Sequence, residues 1–377
     1  MALQVGLSIF LAHGYDFRVE YVAGRNILDG ISPYLGGTLT GWMALGYGPR
    51  VQGIGETPLW ALYLGLCYLL SAGQVFLFNF LSKIPIIAAN VVLAYLAFSR
   101  GLKGWRFFLL NVFLIAITVT WGKPDNVATV LAISALVETD SASSSALLLS
   151  TSLMIKPLAL VILPAFFSRL SAKPIQWSAR FVIETFAASA GLFLIPFAVL
   201  GWPIATVING LPSWFGRAGA LSIFNLVALG TGTSEQLPSN LWWAGYLAPL
   251  GILFLVAYGL IRRPQDSLRY ALLSAAMFFT LRPWNSEQNL VIIFALFVLL
   301  RGDLPSRWLW IVPMCFAVAN SALQAQLYLL MPWIIDYLSR FYAPFYTYIL
   351  WLMFFISMVW VIVLWLNVAP FTQKKEP

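Results

Sequence analysis

The chain has 377 residues, 60% of them hydrophobic and only 10% charged, with a mean hydropathy of +0.84 and a net charge of +8. Soluble domains carry charge on about a quarter of their residues, so a soluble globular protein is excluded and an all-α polytopic membrane protein is expected. The basic excess does not point to nucleic acid, because it falls in short connectors between hydrophobic hairpins: Arg100, Lys103 and Arg106; Arg169, Lys173 and Arg180; Arg262, Arg263 and Arg269; Arg301 and Arg307; Lys374 and Lys375. That is the positive-inside pattern and assigns these connectors to the cytoplasm.

Residues 1 to 13 are apolar but short for a crossing, so either the first helix is tilted or the natural start lies upstream. The opening MALQVGLSIFLA has no basic flank or small-residue cleavage site, so no cleavable leader is expected. The segment from Gly14 to Pro58 is polar and holds Asp16, Glu20, Asp29 and Glu56, four of the 14 acidic residues. It reads as an external loop whose first part, Asp16 to Asp29, forms an amphipathic helix with Phe17, Tyr21 and Leu28 on one face. Gly30 and Pro33 stop that helix, and the tract from Gly36 to Gly55 is loop.

Thr57 to Ala72 reads as a juxtamembrane or re-entrant helix, because a crossing there would put the basic loop Arg100 to Arg106 outside. Val75 to Phe98 then crosses inward, Phe107 to Thr120 goes out, Trp121 to Asn126 turns, and Val127 to Val137 returns. Ala146 to Phe167 is broken at Lys156 and Pro157, a discontinuity tolerated at membrane depth only beside a protein cavity. Phe181 to Leu200 leads to a second external loop, residues 201–240. The runs Leu241 to Ile261, Trp308 to Leu330 and Tyr346 to Val368 are also long enough to cross about 30 Å of hydrocarbon. Arg282 to Asn289 forms an external turn and Pro332 to Pro344 an aromatic segment. The result is one domain over residues 1–377, with about 10 to 13 transmembrane or half-membrane helices. Cys67 and Cys315 lie in apolar runs and suggest no disulfide framework.

Under this topology the polar residues collect on one side: Asp16, Arg18 and Glu20; Lys123, Asp125 and Asn126; Lys156; Arg217; and Arg282, Asn285, Glu287 and Gln288. Charges at such depth usually line a cavity. Carboxylates mixed with Lys and Arg suit a phosphate-bearing lipid, the cations holding phosphate and a carboxylate moving a proton. Each has a plainer reading beside it: Asp16 as a helix N-cap, Glu20 on a solvated face, Lys156 snorkelling to the interface. Lys123, Asp125 and Asn126 read as a local ion pair and helix cap, Arg217 with Trp214 and Phe215 as an aromatic belt, and His13 as an interfacial residue. No zinc set, P-loop, dinucleotide fingerprint or Ser-His-Asp set can be assembled.

The segments DFRVE from Asp16, ILDGISPY ending at Tyr34, GYGP and ETPLWAL resemble the first external loop of the GT-C glycosyltransferases, most closely the GPI mannosyltransferase I type. Three later stretches agree in order. TWGKPDNVATVLA resembles that family's RGN-x-ES-x-L-x-A turn, LMIKPLALVILPAFF its K-x-x-P broken helix, and TLRPWNSEQNLVIIFALFVL its FNK…TSQYFLWY segment. The resemblance implies a GT-C-like bundle with a catalytic first external loop. Its expected reaction is inverting transfer of a hexose, mannose favoured, from a polyprenyl or dolichyl phosphate donor to a lipid or glycan acceptor. The face is the non-cytoplasmic side of a cell membrane, or of the endoplasmic reticulum in a eukaryote, with a small membrane subunit as an expected partner and no nucleic acid.

Residue by residue, the resemblance makes Asp16 the catalytic carboxylate, with Glu20 and Arg18 assisting acceptor or metal. Lys156, Arg282 and Arg217 would hold the donor phosphate. Tyr34, Lys123, Asp125, Asn126, Asn285, Glu287 and Gln288 would support the donor sugar or the loop. Where the family motif often has a second aspartate this chain has Arg18, which leaves metal dependence open. The ion expected there is divalent, Mg or Mn, or else its charge is supplied by the guanidinium. The rival reading is a secondary transporter of an anionic or lipidic solute, which broken helices would also suit. It should show inverted repeats, and none is found. A non-catalytic lipid-binding or assembly subunit is the third reading.

Overall fold

The computed structural model describes residues 1–137, 140–208, 217–227, 237–262, 266–303 and 305–372. The chain is mostly helical. The helices are α1 (Ala2–Phe10), α2 (Gly14–Leu28), α3 (Pro58–Ser71), α4 (Val75–Phe98), α5 (Trp105–Leu110), α6 (Val112–Ile115), α7 (Asp125–Val137), α8 (Ala142–Ile155), α9 (Leu163–Ala172) and α10 (Ile175–Leu200). They continue as α11 (Leu247–Arg262), α12 (Ser267–Leu281), α13 (Val291–Arg301), α14 (Trp308–Ala319), α15 (Ile334–Tyr342) and α16 (Tyr346–Thr372). Two small sheets join loops: β1 (Gly37–Thr38) pairs antiparallel with β2 (Arg50–Val51), and β3 (Gly219–Ala220) pairs parallel with β4 (Trp284–Asn285).

Among the described residues, four helical stretches are long and apolar enough to cross a membrane: Val75–Phe98, Ile175–Leu200, Ser239–Ile261 and Ile334–Pro370. The expected crossing from Trp308 to Leu330 is not one of them. Its helix stops at Ala319, because Asn320 turns the chain and Ser321 takes a left-handed backbone at φ 65°. The 36–55 tract carries the β1–β2 hairpin instead of being loop throughout, and Leu28, expected on the buried face of α2, is exposed while Phe17 and Tyr21 are buried.

α13 organises the larger core. Every residue from Val291 to Leu299 is buried, as expected for a helix apolar all round. Around it pack α7, α9, α12, α14 and the run of α5 and α6, which continues into a π-type turn over Ala116–Thr120. A second core holds α2, α3 and α4 together through Tyr21, Tyr68 and Phe78, whose rings meet edge to face at 5.1 to 6.2 Å.

The bundle has two chemically distinct ends. At one, the basic connectors touch each other and helix C-termini: Gly104 N–H donates to Gly302 O, and Arg169 donates to the last carbonyls of α7 at Ala135 and Leu136. Arg263 and the tail Lys374 and Lys375 lie outside the described residues. At the other end, where α7 and α13 begin and α8, α12 and α14 finish, Lys123, Asp125, Lys156, Arg282 and Glu287 come together. Of the helices that run between the two ends, α7, α8, α12, α13 and α14 have 11 to 15 residues, about 16 to 22 Å at 1.5 Å per residue, whereas α4 and α10 have 24 and 26.

Candidate functional site

α2 is built to aim carboxylates inward. Asp16 and Glu20 are one turn apart and share a face, whereas Arg18, about 200° from Asp16 around the helix, points the opposite way. Gly14 lets the helix start close against Tyr328 and Tyr47, since a Cβ there would come within 2.6 Å and 2.8 Å of their rings. His13, not Asp16, is the N-cap residue of α2, so the capping reading of Asp16 does not hold.

The inward face meets the turn between the π segment and α7. Gly122 adopts φ +95°, a left-handed conformation that Cβ-bearing residues rarely take, and this turns Lys123 back towards α2. The Lys123 ammonium lies 2.6 Å from Glu56 Oε1, 3.1 Å from Asp16 Oδ1 and 3.9 Å from Glu20 Oε1. On its other oxygen Asp16 accepts from Trp121 Nε1 at 2.6 Å, and His13 Nδ1 stands 2.9 Å away. The His13 and Trp121 rings stack with centroids 4.5 Å apart. Below the cluster, the buried Lys83 of α4 donates to the carbonyls of Leu11 and Thr120.

These contacts set the protonation states. Burial pushes the Asp16 carboxyl up, but Lys123, His13 and Trp121 outweigh it and hold Asp16 well below the usual carboxylate range. Burial would lower the Lys123 ammonium, yet Asp16, Glu56 and Glu20 raise it well above the ordinary lysine value. Glu20 is buried and lacks an ammonium at hydrogen-bond distance. Its carboxyl is pushed up to about 8 by burial, with the neighbouring charges of Glu56 and Asp16 adding to the rise against Lys123. The solvated-face reading of Glu20 is thereby corrected.

A second cluster adjoins the first through Pro124. Asp125, in the first turn of α7, accepts from Lys156 Nζ at 2.6 Å and from Asn289. Lys156 stands where α8 ends, in extended conformation (φ −158°, ψ 134°), because Pro157 supplies no N–H to continue the helix. Arg282 lies at the end of α12 with its guanidinium over the Phe278 ring and makes no ion pair among the described residues. Burial lowers it to about 10 against the opposing charge of Asp125. Arg217 comes alongside through the β3–β4 pairing and sits 5.1 Å from the Trp284 ring centre. Trp214 and Phe215 lie outside the described residues.

The expected local pair between Lys123 and Asp125 is therefore wrong, since each finds its partner elsewhere. Arg18 does not supply a cation to Asp16: it donates to Gly48 O and lies over Tyr47 on the far face of α2. Asn126 holds the fold by donating to Ile86 O and Asn90 Oδ1, and Asn285 closes the C-terminal turn of α12 by donating to Phe279 O. Tyr34 packs on Phe197 and Trp202 with its hydroxyl buried and unpartnered. Glu287 is buried and accepts from Asn320 Nδ2 at 2.9 Å, and Gln288 is buried beside it. Sequence reasoning missed His13, Glu56, Trp121, Lys83 and Asn289. The one available signal was the scarcity of ionisable residues in apolar surroundings, which made Glu56 and Lys83 conspicuous.

A divalent ion does not fit the carboxylates as they stand, because the Lys123 ammonium occupies the centre that the ion would need. No group of three His, Cys, Asp or Glu side chains placed to share a metal occurs among the described residues. Comparison with known proteins returned no match to a family model, a characterised protein or a solved structure.

Proposed function

We propose that the chain is a multi-pass membrane glycosyltransferase of the GT-C type. It transfers a hexose, mannose favoured, from a polyprenyl or dolichyl phosphate to a lipid or glycan acceptor on the non-cytoplasmic face. One observation carries the reading: in the Asp16–Lys123 and Lys156–Asp125 pairs the more exposed member is the one the chemistry needs. Asp16 is 16% exposed against 7% for Lys123, 4% for Glu20 and 5% for Glu56. Lys156 is 19% exposed against 1% for Asp125. An accessible carboxylate and an accessible ammonium thus occupy one end of the bundle, opposite the basic connectors.

In the proposed reaction Asp16 accepts the proton of the acceptor hydroxyl as its oxygen bonds the anomeric carbon from the face opposite the phosphate. The anomeric C–O bond breaks and its electron pair leaves with the polyprenyl phosphate. A carboxylate has about four acceptor positions; Trp121 and Lys123 take two, His13 stands beside Oδ2, and the hydroxyl takes a free one. Lys156 and the Arg282 guanidinium neutralise the leaving phosphate, with Arg217 at the edge. The strongly stabilised carboxylate is a weak base, so its main contribution is to orient the hydroxyl and receive the proton late in the transfer. Lys123 supplies the positive charge that a divalent ion would otherwise bring.

Labelled sugar transfer from polyprenyl phosphate donors by purified protein in detergent tests this. Asp16→Asn should lower turnover about a hundredfold or more, and Lys156→Ala should weaken donor use. Unchanged rates in both variants would refute the assigned roles. The break at Lys156 and Pro157 also favours a second reading, a secondary transporter, for which solute counterflow in proteoliposomes without sugar transfer would be the outcome.

A further inference from the structure

The face of α2 turned away from Asp16 carries a second charged feature. A cavity of about 240 Å³ opens there between α2 and the β1–β2 hairpin, lined by Tyr15, Arg18, Tyr47, Arg50 and Gln52 among others. Arg18 is only 2% exposed, yet no carboxylate lies within ion-pair distance of it among the described residues. One of its five donors reaches the Gly48 carbonyl, the guanidinium lies 5.3 Å from the Tyr47 ring centre, and the buried Nε has no acceptor. Burying a guanidinium without a counter-charge costs several kcal/mol, a cost that a bound anion would offset. Arg50, exposed on β2, brings a second guanidinium to the rim, and no acidic side chain lines the cavity. Tyr47, one wall of the cavity, also lies against Gly14 at the start of the helix that carries Asp16.

We propose that this cavity binds a phosphate group of the acceptor, seated on Arg18 with Arg50 closing over it. Two guanidinium forks match the geometry and charge of a phosphate, and the volume admits it together with part of the group that carries it. So seated, the acceptor is anchored two residues along α2 from Asp16, on a site separate from the cations assigned to the donor. Its role as an acceptor site rests on the transferase reading, whereas anion binding does not and is measured without sugar transfer.

The test is native mass spectrometry and thermal shift on the full chain in detergent, with two matched pairs of probes. Phosphatidic acid is compared with diacylglycerol, and glycerol 3-phosphate with glycerol, so that a lipid headgroup and a free phosphate ester are told apart. The phosphate member of at least one pair should bind more tightly than its phosphate-free counterpart. That affinity should fall about tenfold in Arg50→Gln, the loss of one charge-assisted contact, and further in Arg18→Gln. Arg50 is exposed, so its variant keeps the fold even where Arg18→Gln does not. No preference for phosphate in either pair, or equal affinity in wild type and Arg50→Gln, would overturn the proposal.

Discussion

Lys123 and Asp125 stand two residues apart and enter different ion pairs, Lys123 with Asp16 at 3.1 Å and Asp125 with Lys156 at 2.6 Å. Pro124 between them fixes the chain so that one side chain faces α2 and the other faces the break between α8 and α9. The two charged clusters are thereby held in a set relation by a single turn, each balanced by an opposite charge from a distant part of the chain.

The balance around Asp16 predicts a pH effect. Lys123 is the main charge opposing the burial that would otherwise raise the Asp16 carboxyl. In Lys123→Met that opposition is lost, the carboxyl rises from its wild-type position, and its deprotonated form is lost at a higher pH than in wild type. The acid limb of the transfer rate should therefore move upward, with activity at pH 5 falling well below that at pH 7.5, while Lys123→Arg keeps the wild-type limb. The measurement is turnover against pH for the three proteins. Superimposable acid limbs would show that Lys123 does not govern Asp16.

The second cluster separates stability from donor use. Asp125 is 1% exposed, so removing its partner in Lys156→Ala strands a buried carboxylate, at a cost of about 3 kcal/mol. Adding Asp125→Asn removes that stranded charge and should recover most of the lost unfolding temperature, since Asn289 and the new amide can still hydrogen-bond. The double variant should nevertheless keep the raised donor KM of the single one, because the ammonium proposed to meet the phosphate is still missing. Recovery of donor use together with stability would reduce Lys156 to a structural role.

How much of this was legible depended on whether the cause was local. The limits of α4 followed from a long run that is apolar apart from Asn79, Ser82, Lys83 and Asn90, and the break at Lys156 followed from the missing N–H of Pro157. The early stop of α14 was hidden because the residues after Asn320 and Ser321 are again mostly apolar, with Gln324 and Gln326 too few to break the run. The partners in the site were hidden for a different reason. Glu56 is 67 residues from Lys123, and Asn289 is 164 from Asp125, and no periodicity encodes such pairings. Helical spacing did put Asp16 and Glu20 on one face, but that spacing also turns Arg18 away, and taking the three as one motif obscured this.

Glu287 gives a prediction that needs no substrate. It is 2% exposed and accepts from Asn320 Nδ2 at 2.9 Å. Burial raises its carboxyl to about 7 from the usual 4.5, against the lowering effects of its own backbone, Asn320 and the nearby His13. The folded protein thus keeps a proton between pH 4.5 and about 7 that the unfolded chain has released. Stability should fall as pH rises through that window and level off above it, by roughly 3 kcal/mol at most. Glu20, raised to about 8, contributes a slope of the same sign that extends further. Glu287→Gln keeps the shape and the contact with Asn320 but cannot ionise, so its unfolding temperature should decline less steeply between pH 5 and 7 than that of wild type. Parallel profiles for the two proteins would mean that Glu287 titrates in the folded protein as it does in water.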